Sequence, residues 1–437
     1  MSNIAIVASG LTSPLFCMLE LADQLHRDGH HIRFFAPEIS QEAIAIAGFD
    51  ITLMPEPHVW AYGPLLPPLG QDGGSTSRRE RIQDAVAAFG VQRFGADLKA
   101  HEPELIIVDC ELHAHILVAL SLGIPVVQTH NMYLTPPALN VPPLHKWAVP
   151  GKWFWGSRFG TGLLWLDHLI HKVWRILKNK VGFKGADFPS ALGHLAQTLK
   201  LDLPAWRRFK SWQYPWTYRI PTFLSLPRAL DFPNEPRNDV HYLGPMICGA
   251  RPAVQIKPSE TERFCHAGPE KKRIYAAYGS MLTPDAKFIT KLWEAVARHP
   301  EWQLLCVVGK NWTAPENISP PANVEVVQWV AQPEMLELAD LAIFHGGAGT
   351  LIEAADTGTA MLIYPSVLDQ LGNAARVAFH GLGRVGKERD SSLKMEADIS
   401  TILESAKISS ACKKMQGALQ AERNAQPAQK LVRRLLS

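Results

Sequence analysis

Two successive series of short apolar runs and helical patterns constrain the fold of this chain more than any other feature. The first series begins with the apolar run Ile4–Ala8 and a helical pattern over Pro14–Asp28, which Gly29 ends as a helix C-cap glycine does. The second series begins at Arg273–Tyr278 and reaches the helical pattern Gln370–His380. Strands that alternate with helices indicate right-handed βαβ units and parallel sheets. The sequence therefore predicts an α/β protein with two similar halves.

The length of 437 residues is enough for two to three domains of about 150 residues each. A proline-rich stretch, which is typical of a linker, separates the two series of elements. We therefore expect an N-terminal domain over residues 1–225 and a linker over residues 226–258. A second domain over residues 259–408 and a helical tail over residues 409–437 would follow.

The overall composition excludes several classes of protein. A net charge of +3 argues against a general binder of polyanions, so no nucleic-acid partner is expected. Six scattered cysteines without a C-x-x-C pair fit the reduced thiols of a cytoplasmic protein better than a zinc site or a disulfide framework. The first residues lack the basic region and long apolar core of a signal peptide, and no apolar run is long enough to cross a membrane. We expect a cytoplasmic protein.

The segment Ala339–Arg376 contains the most informative pattern, a strand followed by a glycine-rich turn and a helix. The strand ends at Phe344, and His345, two glycines and the start of the helix follow. Glycines let the backbone approach a ligand closely, and the free N–H groups at a helix start bind anions. His345 and the Thr350 hydroxyl can donate to a phosphate, while Glu353, one turn into the helix, can accept hydrogen bonds from a ribose diol.

A second polar pair follows the next strand. Asp369 and Gln370 come at its carboxyl end, which is where open α/β sheets bind ligands. The H-G-G turn alone fits an unliganded strand-to-helix turn equally well. A nicotinamide fingerprint fits poorly, because Ile352 occupies the position of its third glycine.

Taken in order, these motifs resemble the donor signature of the family 1 nucleotide-sugar-dependent glycosyltransferases, the UDP-glycosyltransferase superfamily. That signature reads W-x-x-Q, then H-x-G-x-x-[ST]-x-x-E about a dozen residues later, then P-x-x-x-D-Q-x-x-N. Every block matches without a gap, at Trp329, Gln332, His345, Gly347, Thr350, Glu353, Pro365, Asp369, Gln370 and Asn373. The resemblance covers essentially the whole chain and is strongest after Arg273. It implies the GT-B fold, in which two Rossmann-like α/β domains face each other across a cleft and the C-terminal helix crosses back to the first domain.

The resemblance also implies a role for each matched residue. Trp329 would stack on the uracil ring, and Gln332 would hydrogen-bond the base or the ribose. Glu353 would accept the ribose hydroxyls, and Asp369 and Gln370 would bind the hydroxyls of the sugar. Each residue alone could instead serve packing or capping. The ordered set is what points to a nucleotide sugar.

The diphosphate would be held by the glycine-rich turn, the helix start and one residue of a Y-G-S sequence that resembles the family's F-G-S. These residues are Ser280, His345, Gly347, Ala348, Gly349, Thr350 and Asn373. No metal and no cofactor other than the donor substrate are implied, because His345 and helix dipoles can meet the charge of the diphosphate.

The first half departs from the family at the general base, a histidine within G-H-x-x-P after the first strand. Here that loop reads S-G-L-T-S-P. Matching the glycine places Leu11 at the histidine position, and counting back from Gly29 places Pro14 there.

Three explanations of this departure remain open. Asp109 matches the aspartate that orients the family's histidine and could be the base or orient another one, and further candidates lie nearby at Glu111, His113 and His115. The acceptor could instead need little activation, as a phenolate or an amine would. The chain could also be a non-catalytic relative that binds a nucleotide sugar or a partner enzyme.

Tryptophan and charge are unevenly distributed. Eight of the 13 tryptophans lie within residues 147–216, and residues 146–184 carry a local net charge of +7. The family builds its acceptor pocket in this part of the first domain, which predicts a large hydrophobic acceptor such as a lipid, terpenoid, polyketide or aromatic aglycone. Trp165–Leu177 has the pattern of an amphipathic helix, which is typical of peripheral membrane contact or of a core-facing helix with a solvated basic face. The resemblance as a whole implies inverting transfer of a hexose, with glucose expected, from UDP to such an acceptor.

Overall fold

The computed structural model describes residues 1–58, 77–134, 136–184, 186–208, 216–235, 237–249, 261–278, 285–309, 312–313 and 319–437. Two parallel sheets with helices packed on them confirm the predicted α/β class. Within the described residues, no helix combines the length and apolar character that crossing a bilayer requires.

The first domain is built on a parallel sheet with the strand order β3-β2-β1-β4-β5-β8-β9, and a short antiparallel pair, β6 and β7, lies beside it. The strands are β1 (Asn3–Val7), β2 (His31–Ala36), β3 (Asp50–Leu53), β4 (Leu105–Asp109), β5 (Val126–His130), β6 (Arg207–Arg208), β7 (Thr217–Tyr218), β8 (Thr222–Leu224) and β9 (Val240–Tyr242). The helices are α1 (Thr12–Arg27), α2 (Gln41–Ile46), α3 (Arg78–Ala87), α4 (Phe94–Ala100), α5 (His113–Ser121), α6 (Trp153–Gly156), α7 (Arg158–Gly182), α8 (Phe188–Thr198) and α9 (Leu203–Trp206).

The second domain repeats this architecture with the strand order β12-β11-β10-β13-β14-β15. Its strands are β10 (Lys272–Ala277), β11 (Trp302–Val307), β12 (Val324–Val327), β13 (Leu341–Phe344), β14 (Ala360–Ile363) and β15 (Gly383–Val385). Its helices are α10 (Glu262–Cys265), α11 (Ala286–Ala297), α12 (Gln332–Leu338), α13 (Ala348–Thr357), α14 (Gln370–His380) and α15 (Ser392–Leu403), and the chain ends with α16 (Ala406–Asn424) and α17 (Pro427–Leu436).

Strand β1 shows why these apolar runs form buried central strands. Ala5 and Val7 pack into the core on one face of the sheet, while Ile4 and Ile6 pack into the core on the other face. A strand that is covered by helices on both faces is apolar at nearly every position, as the sequence is here. The same reasoning locates the predicted strand His31–Ala36, which the structure reproduces residue for residue.

Both sheets reverse their strand order at one point. In the first sheet β1 lies between β2 and β4, and in the second sheet β10 lies between β11 and β13. Adjacent connections leave opposite faces of the sheet at such a point, which opens a crevice at the carboxyl ends of the strands. The loops that carry Asp109 and His345 leave the sheets at these two crevices.

The stretch that the sequence assigns to a linker contributes a strand to the first domain. Strand β9 pairs with β8 in a parallel register, with Phe223 opposite His241. The helical tail consists of two helices that meet at Gln426, whose φ is +49°. Helix α16 packs on α13 of the second domain, and α17 packs on α1 of the first, where Val432 is fully buried.

A buried ion pair also joins the two halves. The guanidinium of Arg376 on α14 is completely buried and bonds Asp231 Oδ1 through Nε (3.1 Å) and Nη2 (2.6 Å). The same guanidinium lies over the rings of Tyr133 (4.2 Å) and Phe232 (4.4 Å). The pair holds the pKa of Asp231 below its usual range, although burial alone would raise it.

We expect Arg376→Met to lower the free energy of unfolding by about 3–5 kcal/mol, because Asp231 would remain buried without its partner. Urea denaturation followed by tryptophan fluorescence measures the change. The matched control is Arg423→Met, which removes a partly exposed pair with Asp356 (2.7 Å) and should cost about 0–1 kcal/mol. Equal losses in the two variants would contradict the role given to burial.

Candidate active site

The glycine-rich turn after β13 has a backbone that other residues cannot adopt easily. Gly346 has φ +94°, and a Cβ atom there would stand 3.0 Å from Ile363 Cγ2 and 3.1 Å from the Gln370 carbonyl oxygen. A Cβ atom on Gly347 would stand 2.7 Å from Nε2 of His345. The two glycines therefore let the turn lie against α14 and under the histidine ring.

The turn leads directly into α13. The first backbone hydrogen bond of this helix runs from Leu351 N–H to the Gly347 carbonyl (3.0 Å). The N–H groups of Ala348, Gly349 and Thr350 come before it and are therefore not used by hydrogen bonds within the helix. Free N–H groups and the helix dipole are the features with which helix starts bind anions, and the structure has them at the position predicted for the diphosphate. Burial lowers the pKa of His345 to about 4, and the neutral ring keeps one N–H to donate to a phosphate oxygen.

A hydrogen-bonded network connects three motif residues on neighbouring elements. The amide nitrogen of Gln332, the first residue of α12, donates to Glu353 Oε2 (2.6 Å) and to Thr350 Oγ1 (3.2 Å). Its oxygen accepts from the Tyr275 hydroxyl (3.1 Å) on β10. Trp329 is half-buried in the loop between β12 and α12. The structure thus brings Gln332 and Glu353, the predicted ribose residues, together at the start of α13.

The last motif block binds the turn to α14. Asn373 is buried, and its amide nitrogen donates to the Gly346 carbonyl (2.9 Å) and to Asp369 Oδ2 (2.8 Å). The side-chain oxygen of Gln370 accepts from the backbone N–H groups of Ser366 (2.9 Å) and Val367 (3.0 Å). In this structure Asn373 and Gln370 therefore shape the loops, and Asp369 is the half-buried carboxylate of the block. Burial raises the pKa of Asp369 to about 6, against the lowering effect of the Asn373 bond.

On the first domain, Asp109 lies at the carboxyl end of β4 and is only 2% exposed. Its Oδ2 accepts the hydroxyl of Ser9, and its Oδ1 accepts the backbone N–H of Glu111 (3.1 Å). Ser9 Oγ in turn accepts the backbone N–H of Leu11 (3.4 Å), one of the two positions, with Pro14, that match the family's histidine. Burial raises the pKa of Asp109 above its usual range.

The other candidate bases are also buried. Burial lowers the pKa values of His113 and His115 to about 3 each. The His113 ring lies 3.3 Å from the Tyr218 hydroxyl, and the His115 ring packs on Phe94 with centroids 4.7 Å apart. These histidines are weak bases, whereas the shift of Asp109 strengthens its carboxylate as a base.

The two halves of the site meet at helix starts. A Cβ atom on Gly349, at the start of α13, would stand 3.6 Å from Ser13 Oγ, at the start of α1. The crevice of the first sheet therefore opens towards the anion site of the second. Ser280, the remaining residue predicted for the diphosphate, lies outside the described residues.

Comparison with known proteins shows similarity to glycosyltransferases in sequence and in fold. Residues 307–436 match the family model "Erythromycin biosynthesis protein CIII-like, C-terminal domain". Oleandomycin glycosyltransferase of Streptomyces antibioticus is 36% identical over 118 residues, which span 27% of each chain. Zeaxanthin glucosyltransferase of Pseudescherichia vulneris is 25% identical over 390 residues, which span 88% of this chain and 86% of that protein. The crystal structure of the kitacinnamycin glycotransferase superposes with a TM-score of 0.69 over 100% of this chain and 99% of that one, at 21% identity.

These similarities support a glycosyltransferase of the family 1, UDP-glycosyltransferase type. Its two Rossmann-like domains form the GT-B fold expected from the donor signature.

Sequence reasoning missed several residues of this glycosyltransferase site. Tyr275 donates its hydroxyl hydrogen bond to Gln332 from the buried strand β10. The apolar pattern of that strand gives no sign of a polar role for Tyr275. Ser9 was only part of the loop that lacks a histidine, although its position two residues after β1 could have indicated the partner of Asp109. Ser13 approaches α13 only through the packing of the two domains.

We expect Gly346→Ala to destabilise the glycosyltransferase by about 1–3 kcal/mol more than Gly381→Ala, because only the first substitution crowds its neighbours. Gly381 has φ +71°, so it shares the backbone strain, but a Cβ atom there meets nothing within 4 Å. Free energies of unfolding from urea titration give the difference. Equal losses would show that the close packing of the turn against α14 is not required.

Proposed function

We propose that this glycosyltransferase transfers a hexose, with glucose as the sugar, from a UDP-sugar to a hydrophobic small molecule and inverts the anomeric centre. The relatives support the coarser statement, that a sugar moves from a nucleotide sugar to a small-molecule acceptor. One observation carries the proposal. The bonded set of Gln332, Thr350 and Glu353 stands at the start of α13, and the Ser9–Asp109 pair lies on the domain that faces it.

The donor fits the second domain group by group. Trp329 offers a ring for the base, and Glu353, held in place by Gln332, accepts hydrogen bonds from the ribose hydroxyls. The diphosphate receives the N–H groups at the start of α13 and a neutral N–H of His345. Asp369 accepts hydroxyls of the sugar. The choice of glucose has the support of a glucosyltransferase relative that matches 88% of this chain.

The Ser9–Asp109 pair supplies the missing base. The acceptor oxygen attacks the anomeric carbon while the bond from that carbon to the diphosphate oxygen breaks, and UDP leaves with the electron pair. The acceptor proton passes to Ser9 Oγ as the Ser9 proton passes to Asp109 Oδ2, so Ser9 ends the step as a neutral hydroxyl. A single displacement of this kind inverts the configuration.

A second candidate function follows from the same loop. Either Leu11 or Pro14 stands where the family has its histidine, and the absence of that histidine favours a non-catalytic protein that binds a nucleotide sugar or a partner enzyme. The release of UDP from UDP-glucose, measured with a panel of hydrophobic acceptors, separates the two candidates. Binding of UDP without any release would favour the non-catalytic function.

We expect Trp329→Ala to raise the dissociation constant of UDP about 10- to 100-fold, because one base–aromatic stacking contact is worth about 1–3 kcal/mol. Trp329→Phe should keep part of the affinity. Isothermal titration with UDP and with dTDP gives both constants and the preference between the two bases. Trp153→Ala, at an exposed tryptophan of the first domain, is the matched control. An unchanged affinity in Trp329→Ala would remove this residue from the donor site.

We expect Asp109→Asn to lower turnover about 100- to 10,000-fold, because the proton of the acceptor loses its destination. The UDP affinity should stay unchanged, while Glu353→Gln should show the opposite pattern, with UDP affinity about tenfold lower. In the wild type, turnover should fall as the pH drops through the raised pKa of Asp109, since the protonated carboxyl accepts no proton. Rate–pH profiles and UDP titrations measure these effects.

The same variant distinguishes a catalytic role from a structural one. The native Asp109 keeps its proton to a higher pH than the unfolded chain does, so its contribution to stability decreases as the pH rises through that window. Asparagine removes this penalty, and Asp109→Asn should be no less stable than the wild type at neutral pH. Wild-type turnover in Asp109→Asn would show that Asp109 is not the base.

A further inference from the structure

Helix α7 exposes a continuous apolar face. The members of this α7 apolar face recur mostly three or four residues apart, which places them on one side of the helix. Their exposed fractions range from 37% at Leu163 to 78% at Val181. The eight residues are Phe159, Leu163, Leu166, Ile170, Val173, Trp174, Leu177 and Val181.

The opposite side of α7 is the one that packs on the protein. Trp165, His168 and Lys172 are buried, and the Trp165 indole N–H donates to the Val141 carbonyl (2.8 Å). An amphipathic helix of a globular protein normally turns its apolar side to the core. The interpretation in which the apolar side of this segment packs on the core is therefore wrong, because the α7 apolar face is exposed.

Exposed aromatic residues continue this face at the N-terminal end of α7. Trp153, Phe154 and Trp155 are 70%, 53% and 48% exposed. The rings of Phe154 and Phe159 have centroids 6.2 Å apart, so the two groups are contiguous. Trp153 has φ +53°, a conformation that bulky residues rarely adopt. The chain thus maintains a strained turn that presents a tryptophan to solvent.

Basic side chains surround the α7 apolar face, and together they define its rim. Asp167 is the only acidic residue among residues 146–184, and its carboxylate is paired with Lys146 (3.1 Å). Lys178 also lies over the Trp174 ring, with 5.2 Å between its nitrogen and the ring centroid. The exposed members of the rim are Lys152, Arg158, Lys178, Lys180 and Lys184.

Charge and dimensions decide what this surface fits. Two copies of the chain would bring two segments of net charge +7 together, which is unfavourable. The face runs for about 33 Å from Phe159 to Val181 at a rise of about 1.5 Å per residue, longer than a small acceptor. A plane of anionic headgroups over acyl chains matches both the rim and the apolar residues.

We propose that α7 and the aromatic turn Trp153–Trp155 lie in the surface of an anionic lipid bilayer, with the helix axis parallel to the membrane. The apolar face enters the boundary between headgroups and acyl chains, tryptophans occupy the interface, and the basic rim contacts the anionic headgroups. Docking itself is independent of the proposed sugar transfer. Its use, the delivery of membrane-dissolved acceptors to the first domain, rests on the proposed function.

Flotation of the full chain with vesicles tests the proposal. We expect binding to vesicles of phosphatidylcholine mixed with phosphatidylglycerol at low salt, weaker binding at high salt, and little binding to phosphatidylcholine alone. Tryptophan emission should shift to shorter wavelength on binding. No association with the mixed vesicles at low salt would overturn the proposal.

Two double variants separate the apolar and the charged contributions. Ile170→Asn with Leu177→Asn removes apolar contacts, and Lys178→Glu with Lys180→Glu reverses two rim charges, so each pair should weaken vesicle binding at least about tenfold. Ile39→Asn, at a first-domain residue that is 77% exposed, is the control and should bind like the wild type. Vesicle binding that survives both double variants would contradict the assignment.

Two further measurements distinguish the remaining explanations. UDP affinity should be unchanged in all these variants, so loss of vesicle binding with intact UDP binding separates docking from the donor site. Sedimentation velocity without lipid tests the alternative of a second copy. If the chain does not bind vesicles but forms a dimer, and the double variant Ile170→Asn with Leu177→Asn is monomeric, the face is a self-association surface and the proposal is wrong.

Discussion

The ion pair between Arg376 and Asp231 fixes α14 against the first domain, and the proposed donor site depends on that position. Helix α14 begins at Gln370 and carries Asn373, whose amide holds both the Gly346 carbonyl and Asp369. A Cβ atom on Gly346 would stand only 3.1 Å from the Gln370 carbonyl oxygen, so a side chain there would crowd the start of α14. A displaced α14 would therefore carry the glycine-rich turn away from the start of α13. Breaking a buried pair costs several kcal/mol, so the pair holds this geometry strongly.

Burial sets the electrostatics of the whole site. It lowers the pKa of His345 to about 4, raises that of Asp369 to about 6 and raises that of Asp109 as well. At neutral pH the histidine is therefore uncharged, and the proposed diphosphate site relies on N–H groups and the α13 dipole. The same desolvation that weakens the histidines near Asp109 makes its carboxylate a better base. A buried carboxylate can thus take the place of the absent histidine.

Local patterns in the sequence predicted the elements, and packing decided what those patterns could not. The helices Ala348–Thr357 and Gln370–His380 follow from glycine, periodicity and motif, and the structure has the same bounds. Strand β9 was hidden among prolines, because a three-residue strand has too little periodicity to stand out. The Ser9–Asp109 bond joins residues 100 positions apart. It can be predicted only when the strand order is known, because β1 and β4 are neighbours at the point where that order reverses. Which side of α7 faces the core also depended on tertiary contacts, since the apolar stripe alone favoured burial.

The position of α7 connects its proposed docking surface with the donor site. Its buried Trp165 bonds the Val141 carbonyl, and Val141 packs in one cluster with Phe232 and Ala375. Ala375 is the neighbour of Arg376 on α14, so close-packed contacts run from α7 to the helix that holds the donor turn. When the apolar face lies on a bilayer, this packing fixes the orientation of the cleft relative to the membrane. A helix whose apolar face packed on the core could not orient the cleft relative to a membrane, because that face would already be buried inside the protein.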